Sequence, residues 1–255
     1  MKKTSVVALL CTTPLLAQAD GWEYSISPYL WLPTISLDSS NVRNEGGPID
    51  GSILDVGPTD YLQALNFGLM LAGDMRKNDW VLMGDLIYLD LGIDDKDIDF
   101  ARPGTGPIAG SYDAGLSGSI ITFAGGRTFV NSNKYHMDGL VGWRRVAMSL
   151  EVSGDLDGGD SFDVRSDLNF NDAFIGVNGR YGFENDRWSI RYYGDIGAGG
   201  SDLSWQAMVE VGYGFAWGDL FVNYRHLHYD FGDAGRFKDL EATLSGPSVG
   251  AAFRF

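Results

Sequence analysis

The stretch "SWQAMVEVGYGFA", Ser204 to Ala216, decides how the rest of the chain is read. Taken at every second place it gives Trp205, Ala207, Val209, Val211, Tyr213 and Phe215 on one side, with Ser204, Gln206, Met208, Glu210, Gly212 and Gly214 on the other. Successive side chains of a β-strand point to opposite faces, so this is a strand with one apolar and one polar face. The segment before it, Arg187 to Ala198, sorts the same way: Trp188, Ile190, Tyr192 and Ile196 stand opposite Arg187, Ser189, Arg191, Tyr193 and Asp195. The closing "LSGPSVGAAFRF", Leu244 to Phe255, alternates too, with Val249, Ala251, Phe253 and Phe255 apolar. A chain end normally frays, because its few contacts do not repay the entropy of ordering it; an alternating apolar end therefore has to be held by neighbours.

Read at period two, the chain gives ten such segments: Trp22 to Leu32, Phe67 to Arg76, Trp80 to Leu91, Ser117 to Val130, Tyr135 to Met148, Phe170 to Gly182, Arg187 to Ala198, Ser204 to Ala216, Leu220 to Phe231 and Ala242 to Phe255. Each is about the length a tilted strand needs to cross a bilayer. Every second connection is tight: Lys77 to Asp79, Asn131 to Lys134, Phe183 to Asp186, and Trp217 to Asp219. The others are mostly long and acidic, as in Pro33 to Asn66, Gly92 to Leu116 and Ser149 to Asn169. A soluble sandwich has no reason to sort its loops by length, whereas an up-and-down outer-membrane barrel has short periplasmic turns and long external loops. The expected fold is all-β: a transmembrane antiparallel barrel of about ten strands, with eight or twelve allowed because a hairpin fits inside Pro33 to Asn66 or Gly92 to Leu116.

The address agrees. Lys2 and Lys3, the apolar run Val6 to Leu16, and Ala17-Gln18-Ala19 follow the order of a secretory signal peptide, with cleavage expected after Ala19 and the barrel domain spanning 20–255. The one cysteine, Cys11, falls inside the leader, so the mature chain has no thiol for a disulfide, metal or nucleophile. A formal charge of −15 argues against nucleic acid, which needs clustered basic residues.

Aromatic residues sit where strands meet headgroups, namely Trp22, Trp80, Tyr135, Trp188 and Trp217 near the turns and Tyr88, Trp143 and Trp205 near the loops. Charges within the segments fall mostly opposite the apolar face, and an Arg aimed at lipid in mid-bilayer costs about 2–4 kcal/mol. The inward set expected on this ground has the acids Glu23, Asp74, Asp85, Asp138, Asp172, Asp195 and Glu210, and the bases Arg76, Arg127, Arg144, Arg180, Arg187, Arg191, Arg225 and Arg254. Two readings of it stand side by side. Ten strands enclose a narrow interior that paired guanidinium and carboxylate groups can fill; the same groups can also line a small polar pathway.

Other candidates carry less. "DDKDID" (Asp94 to Asp99) and "GDLDGGD" (Gly154 to Asp160) cluster oxygen ligands of the kind calcium takes, yet neither fits the twelve-residue calcium loop. Divalent ions bridging these loops to lipopolysaccharide are a nonspecific alternative. "PTDYLQAL" (Pro58 to Leu65) suits a helical turn capped by Thr59 or Asp60, either folding over the mouth or leading into the second strand. The ten-strand count invites comparison with outer-membrane proteases, which carry acidic and His-Asp pairs high in the barrel. However, the register that turns Arg225 inward turns His226 and His228 outward, and His136 lies near a turn. No G-x-S-x-G, H-E-x-x-H or phosphate-loop motif is present.

"RWSIRYYGDIGAGGSDLSWQAMVEVGYGF" (Arg187 to Phe215), "NYRHLHYDF" (Asn223 to Phe231) and the closing twelve residues resemble a family of proteobacterial outer-membrane β-barrel proteins of uncharacterised function. "YLWLP" and "DLIYLDL" upstream also fit. The resemblance implies a barrel in the outer membrane and supplies no catalytic residue. An aromatic-ended last strand, with Phe253 and Phe255, looks like the signal read by the barrel-assembly machinery, the one protein partner expected besides outer-membrane lipid and lipopolysaccharide. The functional expectation is a structural or small-solute-permeability barrel without cofactor; the alternative is an outer-membrane hydrolase working at the extracellular rim.

Overall fold

A computed structural model describes residues 21–39, 41–42, 51–102, 106–156, 161–183, 187–232 and 237–255; the expected signal peptide lies outside them. In chain order the strands are β1 (Glu23–Trp31), β2 (Thr34–Ser39), β3 (Asn41–Val42), β4 (Gly51–Val56), β5 (Leu65–Lys77), β6 (Trp80–Arg102), β7 (Gly106–Asn131), β8 (Tyr135–Leu156), β9 (Ser161–Gly182), β10 (Trp188–Gly199), β11 (Leu203–Phe215), β12 (Gly218–Asp230), β13 (Phe237–Lys238) and β14 (Glu241–Arg254). One short helix, α1 (Pro58–Tyr61), precedes β5.

Ten strands close the ring in the order β1-β5-β6-β7-β8-β9-β10-β11-β12-β14, and β14 pairs back onto β1. All these pairings are antiparallel. The chain end is thereby held on two sides: Phe253 stands opposite Ile26 of β1 and Gly218 of β12. Phe255 N–H donates to Tyr24 O at 3.0 Å, and Tyr24 N–H to Phe255 O at 3.2 Å. Closure leaves these ring strands no free edge over that stretch, which is how an apolar terminus stays ordered.

Tight turns gather at one end, where Asn78 takes the positive φ of 53° that a two-residue hairpin loop requires. The opposite end differs from the sequence expectation. Gly92 to Leu116 and Ser149 to Asn169 are for the most part strand rather than loop, since β6 continues to Arg102, β7 starts at Gly106, β8 runs to Leu156 and β9 starts at Ser161. At about 3.3 Å per residue, strands of 22–26 residues reach roughly 70–85 Å, far beyond the 9–11 residues a bilayer requires. Asp94 to Asp99 thus lies in β6, paired with β7, while 157–160 of the second acidic stretch fall outside the described residues.

Pro33 to Asn66 does hide a hairpin. Beyond Trp31 the chain turns at Pro33 into β2, which continues the pairing on β14 from Ser245↔Thr34 upward and carries β4 on its other edge. Helix α1 then leads into β5, with the Tyr61 hydroxyl donating to Pro33 O at 2.9 Å. Tyr61 lies off the spanning strands, and burial pushes its pKa up to about 12, so this donor keeps its proton at any physiological pH.

The outer wall is apolar: Val141 is 65%, Ile175 63%, Val209 58% and Val222 58% exposed. A continuous belt of this kind suits hydrocarbon and not water. The interior corrects one expectation, for it is not simply polar. Trp31, Met70, Ile87, Val146, Phe170, Leu227 and Tyr229 form one enclosed apolar cluster, and Val81, Ala124, Leu140, Phe174 and Tyr193 a second. Inside so narrow a barrel side chains meet each other rather than water, so apolar packing is as admissible there as ion pairing.

Candidate functional site

The lumen is layered. Nearest the long hairpins lies the first apolar cluster, in which Phe170 meets Tyr229 and Phe231 edge-on at 5.0 and 4.9 Å. These side chains are drawn from β1, β5, β6, β8, β9 and β12, so they converge from around the ring. Trp31 is fixed by its indole N–H donating to Gly246 O at 3.1 Å.

Below it two ion pairs cross over other strands, Arg144–Asp195 over β9 alone and Arg225–Asp85 across the barrel. Arg144, from β8, donates from Nη1 to Asp195 Oδ1 at 3.2 Å and from Nη2 to Asp195 Oδ2 at 2.5 Å, with Phe174 under its guanidinium at 5.0 Å. Arg225, from β12, meets Asp85 Oδ2 at 2.9 Å and donates to the Tyr29 hydroxyl at 3.2 Å. That hydroxyl in turn donates to Asp85 Oδ1 at 2.6 Å. The rings of Tyr29 and Trp31 flank Arg225 at 5.5 and 5.3 Å. Paired and stacked in this way, a guanidinium is tolerable at bilayer depth.

A third knot lies nearer the tight turns. Asp138 is fully buried and accepts four hydrogen bonds: Arg76 Nη1 at 3.2 Å and Nη2 at 2.7 Å, Thr128 Oγ1 at 2.7 Å and Asn178 Nδ2 at 3.0 Å. Arg76 Nε also stands 3.7 Å from Asp74, which accepts Ser25 Oγ at 2.7 Å. Arg191 faces Glu210 at 3.8 Å. Between these knots and the crossing pairs is a cavity of about 100 Å³. A basin of about 680 Å³ opens at the tight-turn end, lined among others by Glu23, Arg76, His136, Arg180, Arg191 and Arg254.

Of the expected inward set, Glu23, Asp74, Arg76, Asp85, Arg180, Arg191, Glu210, Arg225 and Arg254 line one or the other space, and Asp138, Arg144 and Asp195 are buried inside. Three depart from the expectation. Arg127 lies on the outer face at the rim, pairing with Asp79 at 3.3 Å and covering the Trp80 ring at 5.2 Å. Arg187 is exposed at the same rim and donates to the Tyr213 hydroxyl at 3.2 Å. The penalty that drives Arg inward vanishes at the interface, so neither is obliged to enter the lumen. Asp172 is inward and buried but serves the β10–β11 connection rather than an ion pair, accepting Gly200 N and Ser201 N at 2.9 Å and Ser201 Oγ at 2.6 Å.

The inward set expected from sequence lacks Asp219, which falls in the expected turn Trp217 to Asp219 and pairs with Arg254. It also lacks Tyr29, Asn178 and Asn223, neutral groups that charge patterning does not reveal. His226 and His228 lie beside Trp205, with ring centroids at 4.5 and 5.9 Å, and His228 Nδ1 is 2.9 Å from Thr243 Oγ1. His136 lines the basin at the far end. Among the described residues no group of three or more His, Cys, Asp or Glu is placed to hold a metal.

No family model matches the chain, and no curated protein matches it. Solved structures do. The outer membrane protease OmpT from Escherichia coli aligns with a TM-score of 0.52 and 13% identity, over 93% of this chain and 98% of that one. Ail, the attachment invasion locus protein of Yersinia pestis, aligns at TM-score 0.33 and 10% identity over 92% and 99%. Neisserial surface protein A aligns at TM-score 0.29 and 14% identity over 92% and 97%. At 13% identity the likeness to OmpT concerns the shape of the barrel and not its chemistry; the fold is that of outer-membrane β-barrels.

Proposed function

We propose that this protein resides in the bacterial outer membrane as a closed structural barrel, holding its long β6–β9 hairpins outside the cell while its lumen admits no through-flow. The observation that carries the reading is the filled cross-section. Trp31, Arg144 and Leu227 are each 1% exposed inside the ring, and a side chain without access to water leaves no aqueous path beside it. Passage of a small solute would require the aromatic cluster to move together with at least one crossing ion pair. The apolar outer wall and the membrane-barrel fold support residence in the outer membrane. For the hydrolase alternative, the three histidines offer no pairing with a lumen carboxylate at the hairpin end.

Planar-bilayer recording tests the reading. Purified wild-type protein is expected to insert without discrete openings, and fractionation to leave it with outer-membrane lipid. A steady, reproducible wild-type conductance would overturn closure, and recovery in the periplasmic soluble fraction would overturn residence.

A further inference from the structure

We propose that the basin at the tight-turn end is a binding site for a soluble phosphate group, carried by inorganic phosphate or a small phosphate monoester and held by Arg180, Arg191 and Arg254. The argument begins with a pairing that a barrel lumen has reason to avoid. Arg180 of β9 and Arg191 of β10 are direct partners across the two strands, and both line the basin. Side chains so placed start about 4.5–5.5 Å apart, and like charges directly opposite each other destabilise a sheet. Arg254, from β14, lines the same space and lies within the field of both. On β8 the partner of Arg180 is His136, which adds an imidazole to the row.

The guanidiniums deeper in the lumen are placed differently. Arg144 is matched by Asp195, Arg225 by Asp85 and Arg76 by Asp138. Arg191 has Glu210 only at 3.8 Å from its Nε, and it makes no hydrogen bond among the described residues. The carboxylates around the basin are engaged elsewhere. Asp219, buried behind the wall, pairs with Arg254. Asp74 accepts Ser25 Oγ at 2.7 Å and lies 3.7 Å from Arg76 Nε, while Glu23 stands opposite Arg76 in the register. The terminal carboxylate of Phe255 accepts the Tyr24 N–H at 3.2 Å. Glu23 and Asp74 belong to β1 and β5, across the ring from β9 and β10. Taken whole, the basin is near balance; its charge is uneven, with guanidiniums gathered on one side. An oxyanion set among them turns repulsion into charge-assisted hydrogen bonds, which water cannot do. Phosphate suits the place better than a carboxylate, because a doubly charged, oxygen-rich group serves several forked donors at once.

Size and access agree. A basin of about 680 Å³ admits a hydrated phosphate or a small monoester without displacing a side chain. It opens at the tight-turn end, the periplasmic side of such barrels. The strands stand between it and the lipid, which favours a soluble ligand over a headgroup. The inference stands apart from the closed-lumen reading: binding in micelles needs no transport, and a conducting lumen would leave the row of arginines in place.

Isothermal titration of the purified protein in uncharged detergent micelles, with sodium phosphate, glycerol 3-phosphate or sodium acetate at neutral pH, tests it. Saturable one-site binding of phosphate or of glycerol 3-phosphate is expected, and comparing the two tells whether the free ion or the ester is preferred. Acetate, with a single charge, should bind at least about tenfold more weakly. Arg180→Gln and Arg191→Gln should each weaken phosphate binding by at least about tenfold, as expected for the loss of a charge-assisted contact. Arg145→Gln, exposed on the outer face, should leave it unchanged. Glu23→Gln, which removes a carboxylate lining the basin, should tighten it several-fold, a gain that a merely disturbed fold would not produce. Absence of saturable binding by either phosphate, acetate binding as tight as phosphate, wild-type affinity in Arg191→Gln, or an equal loss in Arg145→Gln would each overturn the proposal.

Discussion

Removing Asp195 alone should damage this barrel far more than removing Asp195 and Arg144 together. In the wild type the Arg144 guanidinium, 1% exposed, gives both terminal nitrogens to Asp195 and has only Thr122 Oγ1, at 3.4 Å from Nε, as a further oxygen partner among its side-chain hydrogen bonds. Asp195→Ala strands that charge beneath the aromatic cluster, and stranding one member of a buried pair costs about 3–5 kcal/mol. The double variant Arg144→Met/Asp195→Ala restores an apolar interior that Phe174 and Tyr193 already border, and such exchanges are often near neutral. The coupling energy should therefore be roughly 3 kcal/mol, at the upper end for residues in contact. Equilibrium urea unfolding in lipid vesicles reads it directly. With a slope of about 2–3 kcal/mol/M, the single variant should lower the midpoint by about 1–2 M, and the double should recover most of that loss. If the double variant is as unstable as the single one, Asp195 matters for a reason other than Arg144, and the assignment of the pair as lumen filler fails.

Two further outcomes follow from the same geometry. Gly126→Ala should lower folded yield sharply, because a β-carbon there collides with the carbonyl oxygen of Gly139 on the neighbouring strand, and a backbone group in a ladder has little room to retreat; heat-shifted electrophoretic mobility measures the folded fraction. Deleting Phe255 removes the two hydrogen bonds to Tyr24 that finish the β1–β14 seam and the terminal aromatic expected to be read during assembly, so the outer-membrane yield in cells should fall several-fold while the Phe255→Tyr protein accumulates normally.

How far the sequence could be read depended on what each strand face touches. Where one face meets hydrocarbon, as in Leu203–Phe215 and Gly218–Asp230, the period-two pattern located the strand to within a residue or two. Past the bilayer no hydrocarbon imposes a period-two pattern, and Asp94 to Asp99 reads as an acidic loop although it lies within β6. The interior was legible only in part. Arg144, Asp195 and Arg225 announced themselves as charges that lipid would reject, whereas Phe221, Leu227 and Tyr229 are inward on the same strand as Arg225 and carry no mark to distinguish them from lipid-facing residues. Arg127 and Arg187 misled for the complementary reason: at the rim the cost of facing outward fades. Asp219 was hidden because a turn residue is not expected to reach back to Arg254.

A single-cysteine spin-label scan along β11, from Leu203 to Phe215, reconstituted in lipid bilayers, probes both the outer wall and the closed lumen at once. Labels at Trp205, Ala207, Val209 and Val211 should collide freely with oxygen dissolved in the hydrocarbon and hardly at all with a water-soluble nickel complex. Labels at Ser204 and Gln206 should be shielded from both, because those positions are buried inside the ring. Free nickel access at the second group would mean an open aqueous pore, and loss of oxygen access at the first would mean that the greasy wall is buried against protein; either result contradicts the account.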